Sequence, residues 1–338
     1  MIKLTRRAFA ASAVVPFVGA CQAPSSQVAA APPTPPASAT AWRQGPASPY
    51  AVQEIYPALF QDHICIAGGF SSETRGATER VIALNPANNM WTDAPRLPTP
   101  SHHVQLAAVG AHLYAIGGFL GGASRTQWIN TTRVLRLDSG QWVEDPPPPK
   151  PIAEGMPLVH GENIHLIGGR SPRAAANSEW NDQIDVDDHF ILRPGATAWE
   201  RAAPLPMARN SHAGAVLGDE LHIVSGRTVA GGQTPAHHIY DTRTGQWREG
   251  VAFPEARGGI AATVWRGKLV AGGGEIFQPP SVGDTLYEYD GARWTTFTTL
   301  PTPRHGHGFI TRGDALYAVG GSRLVSAGET LASVDILS

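Results

Sequence analysis

Six copies of one fixed spacing constrain the fold of this 338-residue chain. A tryptophan recurs, and after each copy a short apolar run ends in a glycine pair or a close variant of it. From each tryptophan to the last glycine of the next run there are 27 residues, whereas the interval from that glycine to the following tryptophan varies from 20 to 30. The tryptophans are Trp42, Trp91, Trp142, Trp199, Trp247 and Trp294. A constant interval beside a variable one indicates a repeated structural unit joined by loops of variable length.

Each repeat contains four short strand-like segments separated by turn residues. In the repeat that ends at Trp247 they cover residues 214–217, 221–224, 237–240 and 246–248. The composition agrees, since only 16% of the residues are charged and the chain holds 37 glycines and 29 prolines. Such a composition is typical of many short strands and turns rather than of long helices.

The glycine doublet and the downstream tryptophan resemble the kelch repeat, and the resemblance covers residues 41–338. The family's tyrosine before the tryptophan is matched by Tyr240 and Tyr289, while Leu84, Leu135 and Leu192 stand in its place elsewhere. The resemblance implies an all-β fold, a six-bladed kelch-type β-propeller in which each blade is a four-stranded antiparallel sheet.

The two ends of the repeat region predict how the ring closes. Residues 333–338 match the third strand of a repeat, so the last blade lacks its outer strand, whereas Trp42 lies in an outer-strand segment with no inner strands before it. An unpaired strand on each side would leave two open sheet edges. We therefore expect the segment around Trp42 to complete the last blade.

Residues 1–21 have the features of a signal peptide. Arg6 and Arg7 precede a short apolar stretch and resemble the twin-arginine export signal, and Cys21 follows small residues as in the lipobox of bacterial lipoproteins. An ordinary signal peptide with a chance cysteine is the alternative. We expect lipidation at Cys21 and an anchor on the periplasmic side of a bacterial envelope membrane. Gln22 after the cysteine favours the outer membrane by family resemblance, and the inner membrane stays open as the alternative. Residues 22–40, rich in Ala, Pro and Ser, are expected to form a tether.

The net charge and the cysteine content limit the classes of partner and the covalent links that we expect for this chain. Residues 22–338 carry 23 Lys and Arg (26 minus Lys3, Arg6 and Arg7) against 28 Asp and Glu, a net charge of about −5, and no basic run occurs. These features argue against nucleic acid as a partner. With Cys21 lipidated, Cys65 is unpaired and no disulfide forms. We expect a monomer with no cofactor and no bound metal, and contact with the membrane through the lipid alone.

Two sets of positions are expected to meet at the mouth of the central channel. One set lies ten to thirteen residues after each tryptophan, and the other directly follows each glycine pair. Concave mouths with converging polar groups are the usual ligand sites. The candidate ligand-binding residues are Arg209, Arg257, Arg304, His102, His103, His305, Arg170 and Arg227. The candidate acid–base residues are Glu54, Glu154, Glu275, His212 and His307.

Structural roles remain open for these residues. An arginine about ten residues after the tryptophan is a frequent kelch feature, and it can bond turn carbonyls instead of a ligand. A histidine here can be a hydrogen-bonded turn residue. The acidic loop within residues 173–190 has oxygen-rich spacing that could hold Ca²⁺, but a solvated loop folding over the ligand face fits its sequence better. The histidine pairs match no metal-site signature.

Three functions follow from the sequence. The first is a binding module for a small anionic or carbohydrate ligand, or for an acidic peptide of the kind that animal kelch adaptors hold with arginines on equivalent loops. The second is a mutarotase or epimerase resembling the bacterial periplasmic sialic-acid mutarotase, with a Glu/His acid–base pair and an arginine for the substrate carboxylate. The third, a copper oxidase resembling galactose oxidase, requires a cysteine cross-linked to a tyrosine at the site, and Cys65 lies within an apolar strand instead. Binding is favoured over catalysis.

Overall fold

A computed structural model describes residues 41–121, 128–326 and 328–338. The predicted signal peptide, the lipidation of Cys21 and the predicted tether lie outside the described residues. Within the described ranges the chain forms 36 short strands and one 3-10 helix, Trp180–Asp182. No helix in those ranges has the length and apolar character needed to cross a membrane.

Twenty-four of the strands form six four-stranded antiparallel sheets. In five of these sheets the strands lie side by side in the order in which they occur along the chain. In the last sheet the fourth strand is β1, which comes from the beginning of the repeat region. The first two sheets are β3 (Ala58–Phe60), β4 (His63–Ala67), β7 (Val81–Asn85) and β8 (Met90–Ala94), then β10 (Gln105–Val109), β11 (His112–Ile116), β14 (Val134–Asp138) and β15 (Gln141–Glu144). The next two are β16 (Met156–His160), β17 (Asn163–Ile167), β20 (His189–Leu192) and β21 (Glu200–Arg201), then β22 (Ala213–Leu217), β23 (Glu220–Val224), β26 (His237–Asp241) and β27 (Gln246–Glu249). The last two are β28 (Ala261–Trp265), β29 (Lys268–Gly272), β32 (Thr285–Tyr289) and β33 (Trp294–Thr299), then β34 (Gly308–Arg312), β35 (Ala315–Val319), β36 (Val334–Leu337) and β1 (Trp42–Gln44).

The remaining twelve strands are shorter and form five small sheets beyond the glycine pairs. They are β2 (Val52–Gln53), β5 (Phe70–Ser71) and β6 (Gly76–Ala77); β9 (Ser101–His102), β12 (Phe119–Gly121) and β13 (Trp128–Asn130); β18 (Arg170–Pro172) and β19 (Gln183–Asp185); β24 (Arg227–Thr228) and β25 (Gly232–Gln233); and β30 (Glu275–Phe277) and β31 (Pro280–Val282). These small sheets and the turns beside them carry most of the residues at the channel mouth.

Burial along the second strand of each large sheet explains why the apolar runs recur. In β4, for example, every residue after His63 is buried, and the corresponding strands of the other five sheets show the same pattern. A strand buried on both faces reads as a continuous apolar run rather than as an alternating one. The run in the sequence is therefore the signature of a strand packed between two neighbouring sheets.

The hydrophobic core consists of six clusters, and each cluster joins two sheets. Five of them join sheets that follow one another along the chain. The sixth contains Ile66 and Ile82 of the first sheet together with Val319 and Ile336 of the last sheet. The first strands of the six sheets also contact one another in a cyclic order, β3 to β10, β16, β22, β28, β34 and back to β3. Burial of apolar surface between sheets, at about 25 cal/mol per Å², is the main stabilising term of this arrangement.

The last sheet takes its outer strand from the beginning of the repeat region. β1 pairs antiparallel with β36, in the register Trp42↔Leu337, Arg43↔Ile336 and Gln44↔Asp335. This is the pairing that the sequence predicts for the segment around Trp42. It satisfies the edge of β36, whose four residues are all buried.

The repeated tryptophans connect neighbouring sheets through one recurrent hydrogen bond. In five repeats the indole N–H donates to the backbone carbonyl four residues after the tryptophan of the preceding repeat, over 2.7–3.0 Å. The indole nitrogen of Trp42 has no such partner among the described residues. The constant position of the tryptophan thus reflects a contact between sheets as well as the packing of its ring.

Candidate functional site

Six residues in the left-handed backbone conformation form a ring around the channel axis. They lie twelve residues after each repeat tryptophan, and their φ angles are between 50° and 62°. They are Glu54, His103, Glu154, Ser211, Gly259 and Gly306. Backbone hydrogen bonds join five of the six neighbouring pairs in this ring, including one of 2.7 Å from the Glu54 N–H to the Gly306 carbonyl, which links the first repeat to the last.

A second set of six positions lies next to this ring. In every repeat, the residue after the glycine pair is bridged antiparallel to the residue eleven positions after the tryptophan. The pairs are Phe70 with Gln53, Phe119 with His102, Arg170 with Ala153, Arg227 with Asn210, Glu275 with Gly258, and Ser322 with His305. The two sets of positions that the sequence placed at the channel mouth therefore do meet.

The two sets surround a cavity of about 550 Å³, which we call the mouth cavity. Its ionisable lining consists of Glu54, Glu154, Glu275, His103, Arg170 and Arg227, and its aromatic lining of Phe70, Trp128, Trp180 and Phe277. The volume falls within the range of about 300–1,000 Å³ that small-molecule sites usually have.

Glu154 is the centre of a buried ionic network beneath this cavity, and its side chain has no exposed surface. Its carboxylate pairs with Arg170, lies 3.5 Å from Arg227 and accepts a 2.5 Å hydrogen bond from the Ser211 hydroxyl. Arg227 also donates to Glu275 over 2.5 Å. A buried charge is tolerated only when such partners compensate it, so these side chains hold one another in fixed positions.

Glu54 and His103 form the second part of the network, with the His103 Nε2 lying 2.9 Å from a Glu54 carboxylate oxygen. Burial alone would raise the pKa of Glu54, but the hydrogen bond from His103 and the positive charge of Arg227 hold that pKa well below its ordinary value. Burial lowers the pKa of His103, and the neighbouring Glu54 carboxylate offsets only part of that shift. The pair therefore consists of a carboxylate and a neutral imidazole at neutral pH.

Aromatic rings that line the cavity also contact its charged groups. The guanidinium of Arg170 lies 3.7 Å from the centroid of Trp180, and that of Arg227 lies 5.0 Å from the centroid of Phe277. Phe70 stacks on the buried ring of His102, with 4.0 Å between centroids. Cation–π contacts of this kind stabilise an arginine that faces a partly desolvated space.

The structure separates the predicted site residues into two groups. Six of them line the mouth cavity: Glu54, Glu154, Glu275, His103, Arg170 and Arg227. The three arginines that lie ten residues after a tryptophan, Arg209, Arg257 and Arg304, are not among its lining residues.

Those three arginines bond to the protein itself. Arg209 is fully buried and donates to the carbonyls of Ser225 and Ile223 over 2.8 and 3.1 Å. Arg304 is also fully buried, pairs with Asp335 and donates to the Gly320 carbonyl. Arg257 donates to Glu255 over 2.7 Å. For Arg209 and Arg304 these are the structural contacts that the sequence left open as the alternative to ligand binding.

The remaining histidines also lie outside the lining of the mouth cavity, although His212 and His307 line a separate cavity of about 520 Å³ that Glu54 lines as well. The rings of His212 and His307 pack under the first glycine of a pair in the preceding repeat, where a Cβ on Gly168 or Gly273 would come within 2.8 or 2.5 Å of the ring. Both glycines have positive φ, so glycine is required there for two reasons.

His102 and His305 lie closer to the site, and neither is exposed. Nδ1 of His102 shares a hydrogen bond with Nδ1 of His103 over 2.7 Å. His305 lies 3.8 Å from Glu54 and bonds the Leu324 carbonyl over 2.8 Å. Both therefore support the lining residues from behind.

Sequence reasoning missed the aromatic lining. Trp128, Trp180 and Phe277 were not candidates, and Gln53 was also missed. A signal was present, because three of the nine tryptophans, Trp128, Trp180 and Trp265, lie outside the repeat positions. Two of those three line the cavity.

The acidic loop reaches the ligand face, since Trp180 belongs to it. Its carboxylates bond to the protein, with Asp182 accepting from two backbone amides, Asp185 from Asn210 and Val229, and Asp188 from two basic side chains. Among the described residues no group of three acidic, histidine or cysteine side chains is arranged to hold a metal ion.

Cys65 lies within β4, away from the mouth cavity. Its side chain is buried, and burial raises the pKa of its thiol to about 12. It is not among the residues that line the cavity.

Comparison with known proteins agrees with the repeat. The chain is 26% identical over 299 residues to "Kelch-like protein terF" of Aspergillus terreus (strain NIH 2624 / FGSC A1156). The aligned region covers 84% of this chain and 64% of that protein. It is 22% identical to "Kelch-like protein 41b" of Danio rerio and to "Kelch-like protein 40" of Mus musculus, over 70% and 72% of this chain. The chain spans 38% of each of those two proteins. No family model matches it.

A solved structure described as "Structure of YjhT" superposes with a TM-score of 0.73 at 16% identity, over 87% of this chain and 96% of the other. At that identity the likeness concerns the fold alone. Together with the Kelch-like relatives it confirms the resemblance to kelch-repeat proteins and the β-propeller fold.

Proposed function

We propose that this protein binds a carbohydrate in the mouth cavity. The observation that carries the proposal is the lining itself, in which four aromatic rings surround a floor of carboxylate, imidazole, guanidinium and amide groups. A sugar presents apolar C–H faces that pack on aromatic rings, and hydroxyl groups that hydrogen-bond to such a floor. Both halves of that chemistry are present in one concave site.

The charge of the lining favours a neutral sugar over an anionic ligand. Three carboxylates, Glu54, Glu154 and Glu275, face two guanidinium groups, Arg170 and Arg227, so with His103 neutral the balance is −1. Both arginines already pair with these carboxylates. An added anion would compete with existing ion pairs, whereas a hydroxyl group donates to a carboxylate without displacing them.

Two polar side chains on the cavity wall keep hydrogen-bonding capacity. The Nε and Nη1 of Arg170 and the Oε1 of Gln53 have no hydrogen-bond partner among the described residues. A buried polar atom without a partner costs about 1–3 kcal/mol, and a ligand that supplies the partner recovers part of that cost. These atoms are themselves buried in the cavity wall, so they can serve as donors and as an acceptor only for sugar hydroxyls that enter that wall.

Calorimetric titration with neutral and acidic monosaccharides and disaccharides tests the proposal. We expect binding of a neutral sugar, weakened at least about tenfold by Trp180→Ala, because the ring that covers the floor is then lost. Trp142→Ala is the matched control, since Trp142 lies on the outer strand of its sheet. The proposal is overturned if no sugar binds, or if both variants bind as tightly as the unchanged protein.

A sugar mutarotase or epimerase is the second candidate, and the Glu54–His103 pair favours it. A carboxylate and a neutral imidazole 2.9 Å apart line the same cavity. Opening a sugar hemiacetal moves the proton of the anomeric hydroxyl to a base and gives a proton to the ring oxygen. The Glu54 carboxylate would take the first proton; since the imidazole is neutral, water would give the second, and the hydroxide so formed would take the proton back from Glu54. NMR of freshly dissolved sugar anomers, sialic acid included, would show faster interconversion that Glu54→Gln abolishes. Unchanged interconversion at high protein concentration would exclude the reaction.

We also propose that the protein is exported and anchored to a bacterial envelope membrane by a lipid on Cys21. The arginine pair and the lipobox-like residues before Cys21 support this. Metabolic labelling with a radioactive fatty acid should label the unchanged chain and not Cys21→Ser. Equal labelling of the two chains, or labelling of neither, would overturn the proposal.

A further inference from the structure

The mouth cavity adjoins a second cavity, which we call the outer groove, and the two share part of their lining. The outer groove has a volume of about 1030 Å³, nearly twice the 550 Å³ of the mouth cavity. Five residues line both: Gln53, Phe70, Trp128, Trp180 and Ser326. The outer groove adds Ser71, Ser72 and Gly76 from β5, β6 and their connection, Glu179 and Asn181 from the acidic loop, and Thr330.

We propose that the protein binds the end of a linear neutral oligosaccharide, with its terminal unit in the mouth cavity and the following units in the outer groove. The inference rests on the proposed carbohydrate binding and adds the length and form of the ligand. A single sugar unit in the mouth cavity would leave the outer groove, the larger of the two spaces, empty.

The aromatic residues at the boundary support a ligand that crosses it. Phe70, Trp128 and Trp180 line both spaces, and the rings of Phe70 and Trp128 lie 5.7 Å apart, edge to face. A second sugar unit beyond this boundary packs on rings that already contact the first unit. It therefore buries further apolar surface without requiring a new pocket.

The polar groups of the outer groove fit a neutral sugar chain better than a peptide. Ser72, Asn181 and Thr330 offer hydroxyl and amide groups, and the two ionisable side chains, Arg75 and Glu179, have opposite charge. An acidic peptide would meet no excess of positive charge there. Nor can a peptide add to β5, because β5 is already paired with β2 on one side and with β6 on the other.

Two glycines allow each space to be blocked separately. Gly76 lines the outer groove and Gly232 lines the mouth cavity. A Cβ at either position meets no atom within 4 Å, and neither glycine has a positive φ. Gly76→Trp should therefore place an indole ring at the wall of the outer groove and narrow it, and Gly232→Trp should do the same in the mouth cavity, without strain in the backbone. Circular dichroism of both variants checks that the fold is intact.

The experiment is a binding array of neutral oligosaccharides of one to six units, built from glucose, mannose, galactose or N-acetylglucosamine, with acidic sugars and acidic peptides as further arms. Calorimetry then follows the series of the strongest neutral sugar. We expect affinity to rise at least about tenfold between one unit and three. Gly76→Trp should remove that gain and leave the affinity for one unit within about twofold, whereas Gly232→Trp should weaken every member at least about tenfold.

The possible failures are distinguishable. If one unit binds as tightly as three, or if Gly76→Trp leaves the gain intact, the extended ligand is overturned while carbohydrate binding stands. If no sugar binds, or if only acidic peptides bind, both the extended ligand and the proposed carbohydrate binding are overturned.

Discussion

Two pairs of histidines lie buried between neighbouring sheets and hydrogen-bond within each pair. His165 and His189 are 2.8 Å apart, and His222 and His237 are 3.0 Å apart. Burial lowers the pKa of His189 to about 3 and the pKa values of the other three to about 4. All four are therefore neutral in the folded protein at neutral pH.

Acid should destabilise the protein through these histidines. In the unfolded chain they titrate near about pH 6.5, so below that pH the unfolded state binds more protons than the folded state. The contribution of these histidines to the free energy of unfolding should be at its full value above about pH 7, fall as the pH drops through 6.5, and keep falling to about pH 3, where His189 titrates in the folded protein. Urea denaturation at a series of pH values measures this dependence.

Replacing one histidine pair with the residues of another repeat, in the double variant His222→Tyr with His237→Val, should make the free energy of unfolding fall less steeply as the pH drops. It copies Tyr317 and Val334, which occupy the corresponding positions of the last sheet. His112→Gln is the control, because His112 is partly exposed. An identical pH dependence in the double variant and in the unchanged protein would contradict the assignment.

Arg209→Ala should affect stability and leave sugar binding intact. The substitution removes the donor from the Ser225 and Ile223 carbonyls in a fully buried position, which should cost about 2–4 kcal/mol in the free energy of unfolding. Arg227→Ala should instead weaken sugar binding, because it disturbs the carboxylates of the mouth cavity. Chemical denaturation and calorimetry on both variants separate the two effects. A loss of sugar affinity in Arg209→Ala at unchanged stability would contradict this division.

The repeat spacing predicted where the site residues lie along the chain, but not which way each side chain points. Arg227 is bridged to Asn210, and the side chains of directly paired residues lie on the same side of a sheet. Arg209 precedes Asn210, and adjacent residues of extended backbone point to opposite sides. The repeat therefore brought Arg209 and Arg227 to the same end of the sheet, while only Arg227 faces the cavity. The direction of such a side chain depends on the local backbone conformation and on nearby carbonyls that can accept its hydrogen bonds. The spacing of the repeat specifies neither.

At the scale of elements, the contribution of the recurrent indole hydrogen bond can be measured by comparing a repeat tryptophan that makes it with one that does not. Trp247 donates to the Ala203 carbonyl of the preceding repeat over 2.8 Å, whereas the Trp42 nitrogen has no partner among the described residues. Trp247→Phe should lower the free energy of unfolding by about 1 kcal/mol more than Trp42→Phe, since only the former loses a hydrogen bond. Urea denaturation of the two variants measures the difference. Equal losses would show that the ring, and not the N–H, accounts for the constant spacing.

The elements that the sequence predicted well are those inside the constant 27-residue unit. The apolar runs became β4, β11, β17, β23, β29 and β35, each the second strand of its sheet. The variable intervals could not be treated in the same way, because no position in one has a counterpart in another. Trp128 and Trp180 come from those intervals, which is why the aromatic lining of the site was missed although its polar floor was predicted.

At the scale of the whole molecule, three separate contacts join the first repeat to the last. β1 pairs with β36, the core cluster around Ile66 includes Val319, and the Glu54 N–H donates to the Gly306 carbonyl. The last of these lies in the ring of residues that carries Glu54 and His103. The position of these two site residues therefore depends on the junction between the two ends of the repeat region.

Replacing Trp42–Gln44 with Gly-Ser-Gly tests how strongly the junction holds the molecule together. The replacement removes the side chains of β1 and weakens its ladder with β36, which exposes the buried edge at Ile336. A loss of about 3 kcal/mol would lower the melting temperature by about 5 °C for a protein of this size. The same replacement at residues 36–38, within the predicted tether, is the control and should change nothing. Because the Glu54–Gly306 hydrogen bond lies at the same junction, the β1 replacement should also weaken sugar binding in calorimetry at temperatures where the protein is still folded. A variant that melts early yet binds sugar with unchanged affinity would show that the axial ring holds the site without the outer strand.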